Sequence, residues 1–286
     1  MSATAPQETL LLREISTADA LACHALSRAV NWPHRAEDWE MVIGLGRGVV
    51  ATLGEEIVAT ALWWPYGETH ATLGMIIVSP AHQGGGIGKR LMQALFEQAQ
   101  GRSLMLNATA AGEPLYAKLG FVPCGGVQQY QGEAPAIAAP VLQAGLSLRL
   151  GRQADLTLLE RLDRQATGLV RKPMLEMLLA CGECIVLERD GRPVGFSILR
   201  RFGRGLVVGP VVATTRDDAQ ILIAHWLNEQ RGQFLRVDIQ ADRGLEGWLT
   251  ECGLKPVGLV TSMVLGEMPI LSGPMRLYAL ANQALG

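Results

Sequence analysis

The chain has 286 residues, a formal net charge of −2, 49% hydrophobic and 18% charged residues. That length and apolar content suggest two domains, or one large one, with a sizeable buried core. The near-neutral balance, without a long basic run, excludes nucleic acid or an acidic membrane surface as the main partner. No apolar stretch reaches about 18 residues, and residues 1–8 lack the basic region and apolar core of a signal peptide, so a soluble, cytoplasmic protein is expected. The five cysteines are an odd number and sparsely placed, which argues against a disulfide framework. Cys181-Gly-Glu-Cys184 has no second pair at zinc spacing, so these read as ordinary reduced thiols and no metal is expected.

Taken in chain order, residues 1–8 are polar and read as disordered. Leu10 to Ile15 reads as a strand, and Thr17-Ala-Asp opens a helix to Val30. Asn31-Trp32-Pro33 breaks the chain, because proline disfavours helix at the residue before it. A second helix runs to Ile43. Gly48–Thr52 and Ile57–Trp64 read as strands either side of a Gly-Glu-Glu turn and predict a hairpin. Thr72–Val78 is the next strand. Ile87, Leu91, Leu95 and Ala99 recur at helical spacing after a glycine run. Leu104–Ala108 reads as strand, Gly112–Leu119 as helix and Phe121–Gln131 as strand. The order predicts an α/β arrangement around one mixed sheet.

The most informative stretch is Gln83-Gly84-Gly85-Gly86-Ile87-Gly88-Lys89, between strand and helix. Glycines there let backbone approach a ligand, and the unpaired N–H groups at a helix start suit an anion, most often phosphate. A Walker loop fails, because Gln83 stands where its first glycine belongs and Arg90 where Ser or Thr belongs. A dinucleotide loop fails as well, with Lys89 or Leu91 at its last glycine. What fits is Arg/Gln-x-x-Gly-x-Gly/Ala, followed about thirty residues later by Asn107, Tyr116 and Gly120-Phe121.

On these motifs the first half resembles the GNAT superfamily of acyl-CoA N-acyltransferases. The resemblance implies that Gln83, Gly84, Gly85, Gly86, Ile87, Gly88 and Lys89 hold the pyrophosphate of acetyl-CoA. It implies that the backbone of Ile76, Ile77 and Val78 holds the pantetheine arm and acyl carbonyl, with Asn107 beside it. Tyr116 takes the family's general-acid position at the leaving sulfur, a role a phenol with reference pKa of about 10 can fill. The base is either Glu68 or His70, just before the central strand. The acceptor pocket implied by the family would draw on Asn31, Trp32, His34, Trp63, Trp64, Tyr66, Gln129 and Tyr130; the tryptophans read equally as core.

The second half repeats the first. Leu12-Arg13, Ala18-Asp19 and Val58 recur as Leu148-Arg149, Ala154-Asp155 and Val194, all at an offset of 136 residues. Gly74 and Gly120-Phe121 recur as Gly209 and Gly253-Leu254. One long offset points to duplication. The expected domains are therefore 1–131, a catalytic GNAT domain; 132–147, a Pro- and Ala-rich linker; and 148–286, a degenerate GNAT-like domain. In the repeat, Thr214-Thr-Arg-Asp217-Asp218-Ala219 replaces the glycine loop, and Leu249 stands where the first half has Tyr116. No cofactor is expected there. The end, Arg276 to Gly286, resembles the closing segment of two-domain members.

The reading is an acetyl-CoA-dependent N-acetyltransferase acting on a small-molecule amine or amino-acid-like acceptor, with no nucleic-acid or membrane partner; a homodimer is compatible with it. Two alternatives stay open: a longer acyl-CoA or an O-acceptor on the same fold, and a non-catalytic CoA-binding sensor module.

Overall fold

The structure is a computed structural model that describes residues 9–137 and 142–286. The polar leader 1–8 and the centre of the expected linker, 138–141, lie outside the described residues. The chain divides into two compact units: the described residues up to Pro65 with Leu73–Gly101, and Tyr66–Thr72 with Arg102–Gly286.

The first unit holds β1 (Leu10–Glu14), α1 (Ala20–Ala29), α2 (Ala36–Leu45), β2 (Arg47–Leu53), β3 (Glu56–Tyr66), most of β4 (His70–Val78) and α3 (Ile87–Gln98). The strands lie in the order β1-β2-β3-β4. β1–β2 and β2–β3 are antiparallel, with Leu12 opposite Ala51 and Val49 opposite Ala61. β3 is buried on both faces, which its continuous apolar run Ile57–Trp64 requires. α3 turns Ile87, Leu91, Met92 and Leu95 inward. Asn31, at φ 59°, ends the first helical stretch, and Asp38 starts α2 by accepting from the Arg35 amide at 2.9 Å.

The second unit holds β5 (Ser103–Ala108), α4 (Glu113–Lys118), β6 (Val122–Glu133), β7 (Leu146–Gly151), α5 (Leu156–Thr167), α6 (Lys172–Cys181), β8 (Gly182–Arg189), β9 (Arg192–Phe202), β10 (Gly205–Ala213), α7 (Arg216–Glu229), β11 (Phe234–Gln240), α8 (Glu246–Glu251), β12 (Lys255–Leu265) and β13 (Arg276–Ala279). Its strands lie in the order β5-β12-β6-β11-β13-β10-β9-β8-β7. Its core gathers Val208, Val211, Leu222, Ile223, Trp226 and Ile239 between sheet and α7.

The repeat is visible in detail. Arg13 pairs with Asp19 at 2.7 Å and Arg149 with Asp155 at 2.9 Å. Each aspartate also caps the short helical turn it closes, accepting from the Ser16 or the Arg152 amide.

The compact units do not coincide with the boundaries 1–131, 132–147 and 148–286. β5 and β6 come from the first repeat, yet within this unit the strands they pair with, β12 and β11, come from the second. Asn107 of β5 lies opposite Ser262 of β12, Tyr130 of β6 opposite Val237 of β11, and Val127 of β6 opposite Val260 of β12. The two repeats exchange their last strands, so 102–133 packs with the C-terminal half. β6 runs two residues into the expected linker, and β7 starts at Leu146.

Among the described residues, β13 has no counterpart in the first repeat. β10 and β11 pair in parallel only at Leu206–Leu235 and Val207–Arg236. Beyond that point β13 enters between them, with Ala279 opposite both Val211 and Ile239. A Cβ on Gly209 would collide with the carbonyl oxygen of Leu280, so the glycine is what lets the final segment pass.

Candidate active site

The glycine loop stands at the N-terminus of α3, a helix of 12 residues. Gly84 and Gly86 sit at φ 82° and 77°, a left-handed region that L side chains rarely adopt. A Cβ at either would meet nothing within 4 Å, so the loop surrounds open space. No side chain caps the helix and its first turn holds no acidic residue. The first intrahelical bond runs from Arg90 N to Gly86 O, which leaves the amides of Ile87, Gly88 and Lys89 without a helical partner. Gln83 braces the loop by donating to Val78 O at 3.1 Å, and Arg90 donates to Leu10 O at 3.4 Å. These donors, the helix dipole and the exposed Lys89 suit a pyrophosphate. Coenzyme A therefore fits the loop on this geometry. Upstream, Ile77 is buried in β4 while Ile76 and Val78 are half-buried. Met75, at φ 51°, breaks the strand's regularity, and its carbonyl accepts from Thr60 Oγ1 at 2.7 Å.

In the second unit, Asn107 is half-buried on β5 and fully engaged. Its Nδ2 donates to Gln283 O at 2.8 Å and its Oδ1 accepts from Ser262 Oγ at 2.7 Å. The sequence reading identified Asn107 but not these partners, which lie 155 and 176 residues away. Tyr116 lies on α4, buried, its ring 6.0 Å from that of Phe121 at 65°. Burial pushes its phenol up to about 12, so it is fully protonated at neutral pH and available as a proton donor. His70 is held on both ring nitrogens: Nδ1 lies 2.9 Å from Thr69 Oγ1 and Nε2 lies 3.2 Å from Glu267 O. A carbonyl can only accept, so Nε2 carries a proton. Glu68 is exposed in the turn before β4.

The aromatic pocket expected from sequence is corrected by burial. Trp63 and Trp64 are 1% and 2% exposed, with indole N–H groups bound to Gln98 Oε1 and Val42 O. They are core side chains, as the continuous apolar character of β3 demands. Tyr130 belongs to the core of the second unit. Tyr66 is buried too, donating to Leu285 O at 2.5 Å. Asn31 is exposed and Trp32 half-buried in the α1–α2 connection, Trp32 edge-on to His34 at 5.7 Å.

The equivalent place in the second repeat is built differently. Thr215 caps α7 by accepting from the Asp218 amide at 3.1 Å. Asp217 and Asp218 occupy the first turn, and Asp218 is buried against Arg189 at 2.6 Å. Leu249, at the position of Tyr116, is wholly buried.

The model of the acetyltransferase (GNAT) domain matches residues 45–123, and a second model of that description matches 159–279; together they span well over half the chain. The uncharacterized N-acetyltransferase YitH of Bacillus subtilis is 29% identical over 266 residues, covering 89% of this chain and 91% of that protein. A solved structure from Pyrococcus horikoshii aligns with TM-score 0.77 at 20% identity, over 100% of this chain and 99% of that one. The tandem GNAT protein of the clavulanic acid biosynthesis pathway aligns with TM-score 0.66 at 13% identity, over 90% and 98% of the two chains. With one half that carries the glycine loop and another that has lost it, both matched as the same kind of domain, this chain belongs to the GNAT acetyltransferases as a tandem enzyme of that family.

Proposed function

We propose that the protein is an acetyl-CoA-dependent N-acetyltransferase for a small-molecule amine or amino-acid-like acceptor. The observation that carries this reading is the open, uncapped glycine loop at the start of α3. Gln83 to Lys89 hold the pyrophosphate, and the backbone of Ile76–Val78 orients the acyl arm. Acetyl-CoA supplies a thioester whose C–S bond breaks as the amine's lone pair forms the new C–N bond. Tyr116 returns a proton to the departing sulfur; its raised pKa keeps that proton in place until negative charge develops. The amine must be neutral to attack. His70 is committed on both nitrogens, so Glu68, exposed to solvent, is the group that takes up the ammonium's proton, directly or through water.

Residues 1–131 then carry the cofactor chemistry, and 148–286 bind no coenzyme A. They supply instead the exchanged strands and the final segment that anchor Asn107. The five unbridged cysteines support a reducing, cytoplasmic setting; among the described residues no helix is long and apolar enough to cross a membrane. A thiol-release assay with acetyl-CoA over a panel of amines, amino acids and aminoglycosides tests the reading. Turnover with at least one amine is expected; coenzyme A binding without turnover on any acceptor would leave a sensor module instead.

A further inference from the structure

A cavity of about 300 Å³ lies wholly within the second unit, bounded by β5, β6, β12, the end of α5 and the C-terminal segment. Its body is apolar, with Met105, Met263, Met268, Leu271, Leu277 and Leu280 among its walls. Thioether side chains adapt to apolar groups of differing shape. The volume sits at the small end of ligand pockets, suited to an amino acid rather than a nucleotide. Asn107 forms part of the wall, the residue that the acyl-transfer reading places beside the acyl arm.

Two arginines border this space, and they differ. Arg171 is fully committed: Nε and Nη2 bind Asp163 at 2.9 and 2.6 Å, and Nη1 binds Gly286 O at 2.6 Å. Arg243 gives Nη2 to Gln240 Oε1 at 3.2 Å, while its Nε is buried without a hydrogen-bond partner. Arg243 itself borders the cavity, and a carboxylate is the acceptor that matches a guanidinium fork. The preceding Asp242 is held at φ 77°, which fixes the turn that presents Arg243. Asp242 is exposed and also borders the cavity, so an arriving ammonium finds an opposite charge one residue from the site for its carboxylate.

We infer that this cavity is the acceptor site and that its acceptor is an amine bearing both an apolar body and a carboxylate, with Arg243 holding the carboxylate. Apolar α-amino acids such as leucine and methionine have this chemistry. The inference rests on the acyl-transfer reading. The neutral amine nitrogen of such an acceptor bonds to the acetyl carbon, the C–S electron pair leaves on sulfur, and one proton passes overall from nitrogen to thiolate.

The test uses the full chain and matched ligands: L-leucine against isoamylamine, and L-methionine against 3-(methylthio)propylamine. Binding is read by calorimetry and transfer by thiol release. Each amino acid should bind at least about 30-fold more tightly than its decarboxylated partner, the usual scale for a buried charge-assisted contact. Arg243→Met should bring the pair to equal affinity, and Arg243→Lys should keep part of the difference. Equal affinities within a pair on the native protein would overturn the inference without need of any variant. So would failure of both amino acids to bind, or an Arg243→Met protein with an unchanged melting curve and unchanged leucine affinity. Thiol release from amines lacking a carboxylate, indifferent to Arg243→Met, would retain acyl transfer and remove the cavity from it. Carboxylate-dependent binding without any thiol release would do the reverse, leaving Arg243 a carboxylate site in a protein that does not transfer acyl groups.

Discussion

α3 and α7 are the same helix in two copies of one motif, and they begin in opposite ways. α3 starts from a left-handed glycine, with unpaired amides facing open space. α7 starts from a threonine cap, with two carboxylates in its first turn, one of them buried against Arg189. A helix N-terminus always has donors to satisfy. The first repeat leaves them for a ligand and the second satisfies them from its own chain. In the second repeat the gap between β10 and β11 is filled by β13. The lesson is that a duplicated binding motif can be lost by being completed from within, and the fold keeps its stability.

The contrast breaks most readily at the proton donor. Tyr116→Phe is expected to lower kcat by roughly 10²-fold or more, the usual size of a lost general acid. Leu249→Met, a volume-conserving swap at the equivalent position, should leave kcat within about twofold. A Phe variant with native kcat where chemistry is rate-limiting would remove Tyr116 from the reaction. Next is the loop. Gly86→Val forces a β-branched residue to φ 77°, and the strain, of about 1–3 kcal/mol, should appear as a donor KM raised on the order of tenfold. Calorimetry showing unchanged coenzyme A affinity would detach the loop from the cofactor. Native mass spectrometry at saturating coenzyme A should find one cofactor per chain; two would mean that α7's capped end still binds.

Smaller effects concern stability. Asp218→Asn leaves Arg189 without its buried counter-charge and should cost about 1–3 kcal/mol in urea unfolding, with donor KM unchanged. Asp217→Asn, exposed, should stay within about 0.5 kcal/mol. Equal costs for the two would refute the role of the Arg189–Asp218 pair. The smallest contrast lies between the duplicated ion pairs. Hydrogen bonds from Arg13 outweigh burial and hold the Asp19 carboxyl below the usual range, and Arg149 does the same for Asp155. Because both folded-state pKa values are depressed, this stabilisation is complete above about pH 4 and fades as pH falls through the folded values. The partners are partly exposed, so each pair is worth at most about 1 kcal/mol. Arg149 keeps Glu188 at 2.7 Å, so Asp155→Asn should cost less than Asp19→Asn. Acid titration of the melting temperature checks both the order and the direction.

Much of this was legible locally. The strand–loop–helix of residues 75–98 could be read because glycine spacing and a 3.6-residue period are short-range signals. The duplication was readable because Arg13–Asp19 and Arg149–Asp155 keep one geometry at one spacing. What escaped was long-range. Nothing near Asn107 in sequence announces Ser262 or Gln283, and nothing in Arg276–Ala279 announces that it enters between β10 and β11. Trp63 and Trp64 were ambiguous for a different reason, since an aromatic pair suits a pocket wall and a buried strand equally until its N–H partners are seen.

The strand exchange also sets a timetable. β5 meets β12 through residues such as Asn107 and Ser262, which are 155 positions apart. At about 5–20 residues per second, the second of these emerges from synthesis roughly 8–30 seconds after the first. Throughout that interval β5 and β6 lack β12, which pairs with both of them in the finished sheet. An unpaired strand edge invites association with other chains. The exchange therefore makes the nascent protein most dependent on chaperones while its first repeat is already outside the ribosome and its second is still being made.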